Sequence, residues 1–151
     1  MKAVVQRVAR AAVVVDSKTV GQIGNGLLVL LGVGHHDTDA DAEVLVGKLL
    51  GLRIFTDGEG KMNRSVVDID GSVLVVSQFT LLADIRKGRR PSFTEAAAPE
   101  TAAAMVDRVV KLIEDQDIEV ATGRFGAMME VELLNSGPVT IVMDVANGRV
   151  Q

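Results

Sequence analysis

Two unbroken apolar runs, Leu27-Leu28-Val29-Leu30-Leu31 and Val73-Leu74-Val75-Val76, constrain this chain more than any other feature. Neither alternates with polar residues, so each predicts a strand covered on both faces, and a sheet built on such strands needs a layer on either side. Gly24, Gly26 and Gly34 bound the first run, and the second ends in the polar pair Ser77-Gln78. The uncharged stretch around the first run, residues 23–34, is too short to cross a bilayer. Arg7 and Arg10 interrupt any signal-peptide core after Met1, so the reading is a cytoplasmic chain with no membrane partner.

The other elements can be read around this pair. Residues 2–15 are Val-rich with polar interruptions and 19–23 follow the turn signal Asp16-Ser17-Lys18, which predicts a hairpin. Thr38-Asp39-Ala40-Asp41 has the pattern of a capping box, and Ala42, Leu45, Val46 and Leu49 fall on one helical face. Arg53-Ile54-Phe55 reads as a short strand before the turn Asp57-Gly58-Glu59-Gly60. Pro99 suits the first turn of a second helix continued by Ala102, Val106, Val109 and Ile113. Residues 83–98 keep no period and read as loop. Residues 129–133 and 139–145 alternate, which predicts two strands joined by a turn at Asn135-Ser136-Gly137-Pro138. With 151 residues the expectation is one α/β domain, residues 1–151 with 146–151 as a tail, carrying a mixed, mainly antiparallel sheet or partial barrel and about two packed helices.

Composition removes whole classes of function. There is no Cys, so disulfide scaffolds, thiolate zinc sites and thiol catalysis are excluded, and a reducing compartment suits the chain. The net charge of −4 disfavours a nucleic-acid binder held by bulk electrostatics, so any RNA contact must be local. With no Trp, no Tyr and four Phe there is no platform for stacking successive bases. Gly32-Val33-Gly34 lacks the third glycine of a dinucleotide loop, because position 37 is Asp37. His35-His36-Asp37 carries ligand-type side chains, but adjacent residues seldom point at one ion, and acidic groups at a helix start answer the helix dipole. The reading is no metal and no cofactor.

Three segments stand out, each with a plain alternative. Ser77-Gln78-Phe79-Thr80 emerges from a buried strand at a sheet end, where small-molecule chemistry collects, although polar strand ends are ordinary. A Thr or Ser there is a weak nucleophile, since no neighbouring His or Lys can activate it. Arg86, Lys87, Arg89 and Arg90 crowd one loop, as phosphate contacts or as a solvated charge run. Asn135-Ser136-Gly137-Pro138 is either a simple hairpin turn or a cis Gly-Pro unit that presents two carbonyls to a ligand with no side chain at Gly137.

Taken together, Ser77-Gln78-Phe79-Thr80-Leu81 and Asn135-Ser136-Gly137-Pro138-Val139-Thr140 resemble the paired motifs of the D-aminoacyl-tRNA deacylases, also called D-tyrosyl-tRNA deacylases. Gln6-Arg7-Val8, Gly60-Lys61-Met62-Asn63, Arg90-Pro91-Ser92-Phe93 and Thr122-Gly123-Arg124-Phe125 support the resemblance, which runs from Met1 to about Val145. It implies a homodimeric hydrolase that cuts the ester between a D-amino acid, or mischarged glycine, and the 3′ terminal adenosine of tRNA. It also implies that Gly137 and Pro138 of one subunit enter the other subunit's site and face Ser77, Gln78, Phe79 and Thr80. By the same resemblance Arg7 holds the Gly-Pro turn, and Phe125 and Met129 lie beside the terminal nucleotide or the motif. A rival without catalysis is a dimeric module that binds an RNA end, nucleotide or D-amino acid in the same cleft. A metal-dependent hydrolase using His35, His36 and Asp37 is a more distant alternative.

Overall fold

A computed structural model describes all of residues 1–151. Strand β1 (Lys2–Val15) organises the sheet. It pairs antiparallel with β2 (Lys18–Ile23), β3 (Gly26–Gly32) and β8 (Glu130–Ala146). Strand β6 (Ser72–Ser77) adds parallel to β3, and β7 (Val120–Thr122) parallel to β6. The order is β7-β6-β3-β1-β8-β9, with β2 beside the far half of β1 and β9 (Arg149–Val150) closing back on β8. A separate small hairpin joins β4 (Phe55–Thr56) to β5 (Met62–Arg64) across the expected turn, where the Asp57 carboxylate accepts from the Glu59 and Lys61 amides at 2.8 and 2.9 Å. The residues read as a tail are ordered into this sheet through β9.

The two apolar runs are β3 and β6, and both faces are covered as their pattern requires. Leu27, Val29, Leu31, Val73 and Val75 face helices α1 (Asp39–Gly51) and α2 (Pro99–Glu114) in a core of 23 buried residues. Leu28, Leu74 and Val76 face the other way, into a second core with Val8, Ala11, Val13, Val15 and Ile23. That second layer exists because β1 changes its inward face near Val8, where its register with β8 slips, and its far half curls with β2 over β3 and β6. The result is a half-barrel backed by two helices.

Helix α1 starts as expected. Thr38 is its N-cap, and the Thr38 amide donates to Asp41 Oδ2 at 2.8 Å while the Asp41 amide faces Thr38 Oγ1 at 3.4 Å. Asp41 is 1% exposed and also accepts from the Gly148 amide at 2.8 Å, which ties the helix start to the turn before β9. Burial pushes the Asp41 carboxyl up, but the Gly148 and Thr38 hydrogen bonds outweigh it and hold the group below its ordinary value. A depressed carboxylate stabilises the fold above its unfolded pKa and loses that contribution as pH falls through the folded one. Asp41→Ala leaves several donors without an acceptor and is expected to cost about 1–3 kcal/mol. Denaturant unfolding at neutral pH checks this, and the gap to the unaltered protein should narrow in acid.

The structure corrects the end of the chain. The runs read at 129–133 and 139–145 are not two strands of a hairpin: residues 130–133 and 139–145 are parts of the single strand β8, which pairs with β1 on both sides of Asn135-Ser136-Gly137-Pro138. Val8 pairs with Asn135 and Gln6 with Thr140, so residues 136–139 leave the ladder opposite the one residue Arg7. Alternation is the same whether a strand stops at a turn or carries an outward bulge, which is why the sequence pattern misled.

Candidate active site

At the end of β6 the Gln78 amide still bonds to Leu31 O at 2.7 Å, and the chain then winds into a short 3-10 turn, Phe79–Leu82. The turn packs so closely on β3 that a Cβ on Gly32 would lie 2.5 Å from Leu82 Cδ2 and 3.0 Å from Gln78 O. Its own bonds begin with the Leu81 amide to Gln78 O at 3.2 Å. The amides of Phe79 and Thr80 therefore precede the ladder and have no partner within the turn. Phe79 and Thr80 are exposed, and Ser77 and Gln78 half-buried. The Gln78 side-chain amide donates to Thr80 Oγ1. An amide group cannot serve as a base, so the Thr80 hydroxyl is positioned but not activated.

This corner opens on a cleft of about 520 Å³. Ser77, Gln78, Phe79, Phe125 and Pro99 line it with His35 and Phe93. Phe79 and Phe93 meet edge to face, with centroids 4.9 Å apart and planes at 71°. Of the residues named from sequence, Ser77, Gln78, Phe79 and Phe125 stand in the cleft, whereas Thr80 and Met129 do not line it. Met129 packs on Gly123 and the second core instead.

Sequence reasoning missed His35 as a wall of this cleft. Its Nε2 contacts the Thr94 carbonyl, and its amide donates to Glu95 O at 3.2 Å, so it pins residues 94–97 over the cleft. His36 is exposed and does not line the cleft. Asp37, read as a solvated cap, is half-buried and receives the Met1 amino group at 2.6 Å and the Gly34 amide at 2.6 Å. No group of three His, Cys, Asp or Glu residues is arranged to hold a metal ion.

The basic loop is a closed excursion. Asp84 and Ser92 exchange backbone bonds of 2.8 and 3.0 Å at its base, and residues 85–90 are exposed beyond them. Arg86 does not stand free: its Nε and Nη2 donate to the Asp84 carboxylate at 2.9 and 2.7 Å. The Arg86 side chain, followed by its amide, holds the Asp84 carboxyl down to about 2. Lys87, Arg89 and Arg90 form no ion pair.

The bulge on β8 is built by side chains on both flanks. The Val139 amide donates to Asn135 Oδ1 at 2.7 Å, and Asn135 Nδ2 donates to Val139 O at 3.1 Å, closing the excursion at its neck. Arg7 Nε donates to Ser136 O at 2.8 Å, and Arg7 Nη1 donates to Ile54 O. The Gly137-Pro138 bond is cis, Gly137 has φ +138°, and Gly137 and Pro138 are exposed.

Bulge and corner do not meet within one chain. Arg7, opposite the bulge, pairs with Leu27 and through it with Val73, whereas Leu31 pairs with Ser77, just before the corner. Four strand residues span about 13 Å, and three strand spacings of about 4.8 Å intervene across the sheet. The cleft at the corner and the smaller cavity beside the bulge share no residue.

Fold and cleft together define a class: a single-domain half-barrel backed by two helices, with a largely apolar cleft where the strand β6 ends in Ser77, Gln78 and Phe79. Known proteins narrow this. The family profile described as D-Tyr-tRNA(Tyr) deacylase matches residues 4–144. A D-aminoacyl-tRNA deacylase of Chloroflexus aurantiacus is 59% identical over 150 residues, covering 99% of this chain and 94% of that protein. One from Thermotoga petrophila is 58% identical over 144 residues, covering 95% of this chain and 97% of that protein. Among solved structures, a c-Myc DNA Unwinding Element Binding Protein superposes with a TM-score of 0.90 at 40% identity, covering 95% of this chain and 98% of that one. A probable eukaryotic D-amino acid tRNA deacylase shares the fold with a TM-score of 0.79 at 22% identity, covering 93% of this chain and 97% of that one. The chain belongs to the D-Tyr-tRNA(Tyr) deacylase family.

Proposed function

We propose that this protein hydrolyses the ester linking a D-amino acid, or mischarged glycine, to the 3′ terminal adenosine of tRNA, acting as a cytoplasmic homodimer that uses no cofactor or metal. Membership of the family carries the reaction class: the chain is a D-aminoacyl-tRNA deacylase, a hydrolase of aminoacyl-tRNA esters. No helix is long and apolar enough to cross a membrane. The observation that carries the finer reading is the exposed Gly137-Pro138 bulge, rigidly braced by Arg7 and Asn135 yet remote from its own Phe79-Thr80 corner. A second copy that inserts this bulge into the cleft completes both sites at once. An apolar strip on the sheet face away from the helices favours such a partner: Val4 pairs with both Leu30 and Val142, and Val142 is 74% exposed.

Within that assembly the bulge carbonyls meet the α-amino group and leave no space for an L side chain. A thousandfold preference for one hand requires about 4 kcal/mol, which steric exclusion by main chain can supply. Because no side-chain pocket is consulted, many D-amino acids and glycine pass the same filter. The free amides at Phe79 and Thr80 are suited to receive the oxyanion, and donors of this kind contribute about 2.7–4 kcal/mol each. The adjacent ribose 2′-hydroxyl can position or activate the attacking water. Ser77 and Gln78 then shape the corner, and Phe125 lies against the terminal nucleotide. Met129 acts from behind, supporting Gly123 and the segment that carries Phe125.

Thr80→Ala removes a hydroxyl that is held by Gln78 but has no base, so activity is expected to fall by no more than about tenfold, the effect of one hydrogen bond. Complete loss in a folded protein would instead make Thr80 the nucleophile. The basic loop contacts the acceptor end through Lys87, Arg89 and Arg90, with Arg86 neutralised by Asp84. Neutralising those three should flatten the salt dependence of tRNA binding as much as neutralising all four. The deciding experiment for the function itself is incubation with D-aminoacyl-tRNA and its L counterpart. Release of amino acid from the D ester alone supports the enzyme; binding without release supports a non-catalytic module.

A further inference from the structure

The end of the sheet that carries the bulge also concentrates unpaired positive charge. Arg7, Arg64, Asn25, Thr56 and Ser136 line a cavity of about 340 Å³ there. None of the six ion pairs of the chain involves Arg7, Arg53 or Arg64. Arg7 is held by Nε and Nη1, and its Nη2 makes no hydrogen bond within the chain. Arg64 is exposed and is steadied at one nitrogen by the Asp68 carbonyl. Asp68 is the carboxylate nearest in effect to Arg64 and Arg53, but its Oδ2 is taken by the Ser65 amide at 2.7 Å and hydroxyl at 2.9 Å, and it forms no ion pair with either arginine. Those Ser65 bonds come before the charges of Arg64 and Arg53 in holding the Asp68 carboxyl below its ordinary value.

Guanidinium groups without carboxylate partners, fixed by main-chain carbonyls at the rim of a polar cavity, are suited to a phosphodiester. Resting on the functional reading above, we infer that Arg64, together with the free nitrogen of Arg7, receives a phosphate of the tRNA 3′ end whose ester sits in the partner's cleft. The chain's net charge of −4 gives no bulk attraction for RNA, so local sites such as this cavity and the basic loop are what let an acidic protein hold an acceptor end. The substrate is then gripped from two sides, by the basic loop of the protomer that owns the cleft and by the arginine cavity of the protomer that lends the bulge.

The test compares D-aminoacyl-tRNA with D-aminoacyl-adenosine, which carries the ester but no phosphate. For Arg64→Glu the KM for the tRNA is expected to rise about tenfold with kcat unchanged, and the salt slope should fall by about 0.7, the share of one phosphate on a single strand. The nucleoside substrate should be turned over as by the unaltered protein, and Arg64→Lys should keep the salt slope. An unchanged tRNA KM, or an equal loss on both substrates, overturns the inference while leaving the deacylase reading intact. Hydrolysis of neither substrate by the unaltered protein overturns that reading first. Mixed dimers test the crossing: when an Arg64→Glu chain pairs with a Gly137→Ala chain, the one working cleft lies beside the altered arginine, so its tRNA KM should be raised. A normal KM in that dimer would place Arg64 in service of its own cleft and overturn the proposal.

Discussion

Gly137→Ala should reduce kcat/KM for D-aminoacyl-tRNA by about 100-fold or more while the protein stays folded. The residue has φ +138°, a backbone region that L side chains rarely adopt, and an added Cβ would lie 2.9 Å from Arg7 Nη2 and 2.9 Å from Val139 Cγ2. Relief of the backbone strain and of these contacts displaces the bulge or the Arg7 side chain that braces it, and a displacement of about 1 Å at a positioning element can cost 100-fold. Ser136, Gly137 and Pro138 are exposed and belong to neither core, so unfolding by denaturant should shift far less than the activity. Normal turnover by the Gly137→Ala protein would mean that this excursion does not touch the substrate.

Arg7→Ala comes next in size. Its guanidinium joins the Ser136 carbonyl at the bulge to the Ile54 carbonyl beside the small hairpin, so one side chain fixes the direction in which the bulge projects. A hydrogen bond from a charged donor is worth about 1.5–3 kcal/mol, which corresponds to about 10–150-fold in rate if it is needed only for a correctly aimed bulge. Preference for the D ester should fall along with the rate, because a wandering wall admits the other hand. A lower rate with undiminished preference would assign Arg7 to substrate affinity rather than to aiming. Rate and preference measured on both enantiomers separate these outcomes.

What can be read in advance depends on whether the information is local. The doubly covered strands, the capping box at Thr38 and the proline-started second helix are written in short windows of residues, and the structure has them at the expected places. The Phe79-Thr80 corner is legible because a buried strand ending in polar residues must turn somewhere exposed. The single strand β8 is not, since alternation on both sides of Gly137-Pro138 fits a hairpin and an interrupted strand equally, and only the pairing with β1 distinguishes them. His35 escapes for a related reason: a histidine next to a second one after a strand gives no sign that residues 94–97 will fold back on it. Arg86 looks like a free cation in a basic run, although Asp84 two residues earlier is a visible partner.

The pairing of β1 with β8 also bears on how the molecule comes into being. Lys2 finds Asp144 and Val14 finds Glu130, so the innermost strand of the sheet has a neighbour that the ribosome delivers long after it. Until then one flank of β1 is an open edge, the kind of surface on which nascent chains stick to one another. Contacts so distant along the chain slow folding, so closure of β8 onto β1 should be a late and slow step in forming the sheet.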